Sequence, residues 1–177
     1  PKPQRINLND VAYKYGISHF SYVFEPGEIY GISAPSGAGK TTLLSLLNGT
    51  YKPVSGIIKI DWNYGISFVF QTTELLSHLT VKDNLLLPLA HFYSKEEALL
   101  LIDPVLIALE IDLHKDSYPS ELSYGQLQRV SIARALVYPS PYLFMDEPFK
   151  GLDELLSDKV IDYIRKLQTS FPRTILF

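Results

Sequence analysis

Residues Ser33–Thr42, SAPSGAGKTT, constrain the fold more than any other stretch of the chain. The apolar run Ile29–Ile32 precedes them and the apolar-periodic segment Leu43–Leu47 follows, so the local order is strand, glycine-rich turn, helix. Ala34, Gly39, Lys40 and Thr41 fit the phosphate-loop pattern G-x-x-x-x-G-K-[ST], with alanine at the first glycine position. The residue types suit that task. Gly37 and Gly39 let the backbone turn so that successive N–H groups point at one anion. The helix that follows adds its unpaired N–H groups and the positive end of its dipole. Lys40 can reach the terminal phosphates, and the Thr41 hydroxyl can ligate Mg²⁺. An ordinary glycine-rich turn between strand and helix needs no Lys-Thr pair. The loop is read as a nucleotide-binding element.

Bulk properties set the frame around that loop. A chain of 177 residues suits one domain, or one domain with a small subdomain, and 46% hydrophobic residues can fill a core. A net charge of −3 argues against nucleic acid as the main partner. No cysteine is present, which excludes disulfides and thiolate metal sites and suits a reducing compartment. No apolar stretch approaches the roughly 20 residues that span a bilayer, and no signal peptide is visible. An opening at Pro1 rather than Met is what a trimmed or excised piece is expected to show.

Taken in order, Ile6–Val11 alternates as a half-buried strand, with Tyr13, Tyr15 and Gly16 after it. His19–Phe24 is a second strand, Pro26-Gly27 a turn, and Glu28–Ser33 the strand entering the loop. The helix from Lys40 is expected to stop near Asn48, with Gly49 as its cap. Gly56–Asp61 and Gly65–Phe70 read as a strand pair joined by Trp62-Asn63-Tyr64, with Trp62 a packing residue. From Thr72 to Glu121 the chain turns leucine-rich with helical spacing, as a small helical insertion into an α/β core would. Ser94 with Glu97 forms a capping box, and Pro104 predicts a break near Asp103. His78, His91 and His114 lack metal-ligand spacing.

Two further constellations carry chemistry. In LSYGQLQRVSIARAL, Leu122–Leu136, Ser123 is a good N-cap and Gln126 completes a capping box. A plain packing helix would not need Gly125 in its first turn, where glycine costs about 1 kcal/mol relative to alanine. A small residue there opens the N–H groups to an anion. Tyr142–Met145 is a dense apolar run, as in a strand buried on both faces, and it ends in Asp146-Glu147-Pro148. Ligands bind beyond the carboxyl ends of such strands. Asp146 is therefore expected to hold Mg²⁺ and Glu147 to act as general base. Asp153 is the N-cap of a helix carrying Val160, Ile164 and Leu167 on one face, and Arg173–Phe177 is a last strand.

Together these motifs resemble the ATP-binding subunit of an ABC transporter, over nearly the whole chain. APSGAGKTT stands for Walker A, FVFQ ending at Gln71 for the Q-loop, LSYGQ for the signature, YLFMDEP for Walker B and GLD ending at Asp153 for the D-loop. The signature separates this family from other phosphate-loop proteins. The resemblance implies a P-loop NTPase (RecA-like) α/β core with a mostly parallel sheet, an N-terminal antiparallel β subdomain and an α-helical insertion. Residues 1–71 and 122–177 would form the core, and 72–121 the helical subdomain. It implies ATP and Mg²⁺, with Ser36, Gly37, Ala38, Gly39, Lys40, Thr41 and Thr42 on the phosphates and Tyr15 stacked on adenine, Tyr13 being the alternative. Thr41, Gln71 and Asp146 would serve the metal, and Glu147 and Gln71 the attacking water. Two such domains would pair head to tail, so that Ser123 and Gly125 contact the γ-phosphate across the interface, with Gln126 and Asp153 also among the nucleotide-binding residues. The segment 72–121 would receive a cytoplasmic helix of the permease, holding the protein at the cytoplasmic face of the membrane. The region LTVKDNLLLPL and the stretch YPSELSYGQ look most like lipoprotein-, macrolide- or division-type members.

Three departures from the family pattern stand out. Ala34 replaces the first Walker A glycine, which suits a residue that keeps φ below zero. Tyr124 replaces a small glycine of the signature and is expected to disturb Ser123 or Gly125. Family members continue past the strand at Phe177 to a switch histidine, so the chain is expected to be C-terminally incomplete and to hydrolyse poorly by itself. A soluble ABC-type ATPase of translation or DNA repair is the alternative. Such proteins usually carry two copies or large insertions, neither of which is present.

Overall fold

The structure, a computed structural model, describes residues 2–35 and 37–177. The chain forms two compact units. The first comprises Pro1–Phe68, Ser140–Asp146 and Phe171–Phe177, and the second Val69–Pro139 and Glu147–Ser170.

In the first unit, β1 (Ile6–Tyr13), β2 (Ile17–Phe24) and β4 (Ser55–Lys59) form an antiparallel sheet in the order β2-β1-β4. Ile6, Leu8 and Val11 of β1 point into the core, a spacing that breaks strict alternation. A bulge explains it. Between the pairs Leu8↔Tyr22 and Val11↔Phe20, β1 spends one residue more than β2, and Asp10 takes φ 50. The extra residue turns Val11 inward in place of Asp10. A second sheet runs β3-β7-β6-β5, from β3 (Ile29–Tyr30), β7 (Thr174–Leu176), β6 (Tyr142–Met145) and β5 (Ser67–Val69). Both β3 and β6 run parallel to β7, and every residue of β6 and β7 is buried, as the unbroken apolar runs require. Helix α1 (Lys40–Leu47) lays Leu43, Leu44, Leu46 and Leu47 against Ile6, Leu8, Phe24, Tyr142 and Phe144 in the same core.

Two local expectations are corrected here. Gly56–Asp61 and Gly65–Phe70 do not pair with each other. β4 pairs with β1, while β5 joins the parallel sheet. Between them a 3₁₀ turn at Trp62–Tyr64, capped by the Asp61 carboxylate, ends in Gly65 at φ 64, and that redirects the chain. Trp62 packs its ring on Gly49, where an added Cβ would stand 3.0 Å away. The strand entering the phosphate loop is only Ile29–Tyr30, although Ile32 N–H still donates to the Phe177 carbonyl.

The second unit is helical: α2 (Val81–Leu86), α3 (Lys95–Ala108), α4 (Tyr124–Val137) and α5 (Glu154–Ser170). Pro104 sits inside α3 without breaking it. The carbonyl it leaves without its helical N–H belongs to Leu100, a residue 76% exposed, on the solvent side of the helix, where that loss costs least. Buried Asn84 of α2 ties down the preceding loop. Its amide oxygen accepts from Leu76 N–H, and its nitrogen donates to the carbonyls of Leu76, Leu79 and Thr80. The Arg129 guanidinium of α4 donates to the carbonyls of Leu109 and Glu110 at 2.9 and 2.8 Å, closing the C-terminal end of α3. These contacts, with the Lys159–Glu110 ion pair from α5, group α4 and α5 with the leucine-rich segment.

Candidate nucleotide site

The phosphate loop lies wholly in the first unit, and its geometry follows from its residues. Gly37 and Gly39 take φ 78 and 99, and Gly39 is the N-cap of α1. Lacking a side chain, Gly39 leaves the first N–H groups of the helix without a cap, and the first turn carries no acid. The other four α-helices each bring a side-chain cap: Thr80, Ser94, Ser123 and Asp153. Orphan N–H groups at a helix start need an acceptor, and an anion supplies one. Lys40 Nζ meanwhile donates to the loop's own Ala34 carbonyl at 2.6 Å, so an ammonium stands folded over the same turn. Ala34 is not among the residues with positive φ, which is why alanine serves there. Thr41 and Thr42 occupy the first turn of α1; Ser36 lies outside the described residues. Because β3 and β6 both run parallel to β7, the loop after β3 and Asp146 after β6 stand at the same edge of the sheet. Asp146 is buried, 4% exposed, a costly place for a carboxylate without a cation or donors.

Gly16 joins the aromatic turn to this loop. A Cβ on Gly16 would meet Gly39 Cα at 2.7 Å, and one on Gly39 would meet the Gly16 carbonyl oxygen at 2.6 Å. Only two glycines allow so close an approach. The contact brings Tyr15 beside the phosphate loop. Tyr13 is stacked face to face on Tyr51, centroids 5.0 Å apart, while Tyr15 touches Tyr13 only edge-on and is 67% exposed. Sequence reasoning passed over Gly16; the signal available was a glycine directly after the aromatic pair.

The second unit holds the other expected residues. Gln71 Nε2 donates to Glu147 Oε2 at 3.1 Å, and Lys150 Nζ reaches the same oxygen at 3.2 Å. Glu147 stands at φ 49, in the left-handed region. Gln128, from the middle of α4, donates its amide to the Pro148 carbonyl at 3.0 Å. Neither Lys150 nor Gln128 was singled out from the sequence, because nothing local ties a mid-helix amide to a turn 20 residues on.

At the start of α4, Ser123 Oγ accepts from Gln126 N–H, and Gln126 Oε1 accepts from Ser123 N–H. The Gln126 nitrogen then donates to His114 Nε2 at 2.9 Å. Tyr124 leaves this capping box intact, contrary to the disturbance expected at Ser123. Its ring lies over Gly151, where a Cβ would meet it at 2.7 Å, so the bulk absent from Gly151 accommodates the bulk of Tyr124. Gly125 approaches the Gly151 carbonyl in the same turn. Asp153 Oδ1 accepts from Leu156 N–H and caps α5, as its sequence position predicts.

Among the described residues, no group of three or more histidine, cysteine or acidic side chains could hold a metal ion. The donors in the first unit, the Thr41 hydroxyl and the Asp146 carboxylate, are hard oxygens of the kind that bind Mg²⁺ together with phosphates.

A family model described as ABC transporter matches residues 17–150. The thiamine import ATP-binding protein ThiQ of Vibrio cholerae is 36% identical over 182 residues, covering 96% of this chain and 76% of its own length. The methionine import ATP-binding protein MetN of Bacillus subtilis is 34% identical and is covered over 57% of its length. Among solved structures, a dimeric bacterial ABC transporter cassette superposes with a TM-score of 0.87 at 30% identity, covering 97% of this chain and 86% of that one. The same cassette in a post-hydrolysis state, bound to ADP and Pi, superposes equally well. These relatives favour a transporter subunit over a soluble ATPase of translation or repair. The chain belongs to the ABC transporter family, as an ATP-binding and ATP-hydrolysing domain of a transport system.

Proposed function

We propose that this domain powers import, with Mg-ATP held by the loop of its first unit and hydrolysed in a head-to-tail pair of such domains. The observation that carries the reading is the uncapped start of α1 beneath the Lys40 ammonium, in a chain whose other α-helices are capped by side chains. Lys40 would leave the Ala34 carbonyl for the terminal phosphates, exchanging a neutral acceptor for a charged one. Tyr15 would stack on adenine. Mg²⁺, held by Thr41 and Asp146 with Gln71 near it, would neutralise phosphate charge. Glu147 would take the proton of the attacking water, and Gln71 would orient both. Ser123, Gly125, Gln126 and Asp153 would serve the nucleotide of the facing domain. Import, rather than the lipoprotein- or macrolide-type likeness read from the sequence, is supported by the printed names of the relatives.

The permease would dock on the second unit. A cavity of about 460 Å³ lies between α2 and α3, lined by Leu79, Leu86, Leu87 and Tyr93 with Asp83 and Lys95 at its polar side. Its size and apolar walls suit a short amphipathic helix. Through that permease the domain would sit at the cytoplasmic face of the membrane; no described helix is long and apolar enough to cross one.

The test is Glu147→Gln. The variant should bind ATP with Mg²⁺ and accumulate as a dimer in gel filtration, because the water lacks its base. Turnover equal to the parent would refute the assignment of the base, and a nucleotide-loaded monomer would refute the pairing.

A further inference from the structure

We propose that Gln128 is a positioning residue for Glu147, holding the turn that aims the carboxylate; the proposal rests on the reading of Glu147 as general base. Glu147 sits at φ 49, a conformation that costs a non-glycine residue on the order of 1–3 kcal/mol and persists only where the surroundings enforce it. Two backbone hydrogen bonds lie within the turn. Lys150 N–H donates to the Glu147 carbonyl at 3.2 Å and Leu152 N–H to the Phe149 carbonyl at 3.1 Å. Pro148 contributes no N–H. From outside the turn Gln71 holds the Glu147 carboxylate, and Gln128, fully buried on α4, holds the backbone, its amide donating to the Pro148 carbonyl at 3.0 Å. The contact lies one residue from Glu147, and it comes from a helix fastened at its start by the Ser123–Gln126 box and in its second turn by Arg129.

The second observation is what Gln128 lacks. Its Oε1 is buried with no hydrogen-bond partner, and so is Ser131 Oγ one turn along. An orphaned buried acceptor costs about 1–3 kcal/mol, whereas an apolar side chain of the same shape costs nothing of the kind. Stability alone does not call for an amide at this position. The amide's single partner is the backbone beside the base, and holding that backbone is the task its chemistry fits.

Gln128→Leu keeps the shape and removes the donor, and Gln128→Met is a second variant of similar volume. In steady-state ATP hydrolysis by the full chain, kcat should fall about 10- to 100-fold, the usual range for a residue that orients a catalytic group. KM for ATP should stay within about twofold, because the phosphate loop is untouched. Tm should hold or rise. Amide exchange at Lys150 and Leu152 should quicken at least about tenfold, with the amides of α4 unchanged. On a Glu147→Gln background, Gln128→Leu should cost nothing further, because the two act as one unit. Parental kcat together with unchanged exchange in both variants would overturn the proposal. So would a kcat loss matched by a fall in Tm and faster exchange throughout α4, which would mark plain structural damage. If Glu147→Gln itself leaves turnover intact, the base assignment fails, and the exchange measurement alone still decides whether Gln128 holds the turn.

Discussion

Gly16→Ala tests whether the aromatic turn and the phosphate loop form one binding surface. The residue takes φ 72, so alanine carries a left-handed penalty of about 1–2 kcal/mol. Its new Cβ would also stand 2.7 Å from Gly39 Cα and 3.0 Å from Gly39 N. Both are backbone atoms, so relief takes a shift of roughly 0.7 Å or more at the N-cap of the phosphate helix. Such a shift loosens one or two charge-assisted bonds to phosphate, each worth about 1.5–3 kcal/mol, so ATP affinity should fall about 10- to 100-fold. Gly27→Ala supplies the control. It has nearly the same φ, 79, but its Cβ would meet only Pro172 Cβ at an ordinary 3.6 Å. Both variants should lose about 2–8 °C in Tm from the dihedral term, with Gly16→Ala at the larger end. Only Gly16→Ala should lose affinity in calorimetric titration with Mg-ATP. Parental affinity in Gly16→Ala, alongside a normal Tm loss, would show that the turn and the loop move independently.

Tyr15→Ala should weaken ATP binding, whereas Tyr13→Ala should chiefly cost stability by removing the stack on Tyr51; the reverse pattern in paired titrations and melts would exchange the two assignments. The Lys82–Asp116 pair gives a pH dependence. The hydrogen bond and charge of Lys82 hold the Asp116 carboxyl below its ordinary value, so the pair's contribution is present above the ordinary carboxylate range and fades as pH falls through it. Asp116→Asn should therefore lower Tm at neutral pH and match the parent in strong acid, and a Tm difference that persists in acid would contradict the ion-pair origin.

Much of the fold was legible because its signals are local. The capping boxes at Ser94 and Ser123, the Asp153 cap, the Gly49 stop and the both-face-buried strand Tyr142–Met145 each depend on residues within a turn of one another. Failures came where a distant partner decides. Gly56–Asp61 and Gly65–Phe70 look like a hairpin in isolation, but β1 offers Leu8 opposite Ile58, and the parallel sheet takes Ser67 and Val69. Pro104 is a helix breaker by rule, yet the residue whose carbonyl it orphans, Leu100, is exposed, where the penalty is smallest.

The same division runs through the site. Lys40, Thr41, Asp146 and Glu147 announce themselves because phosphate and water chemistry demands those residue types at those spacings. Gly16 and Gln128 carry no such demand. One acts by having no side chain where another backbone passes, and the other by donating across 20 residues to a carbonyl. Tyr124 shows the converse. Against a motif it reads as a defect, because bulk replaces a glycine in the signature. In three dimensions the defect is compensated at Gly151, which stands at φ 82 under the tyrosine ring, and the Ser123 cap keeps its geometry. A departure from a linear motif is thus harmful or neutral according to a neighbour the motif does not contain. Here that neighbour lies in the turn that leads from Glu147 to Asp153.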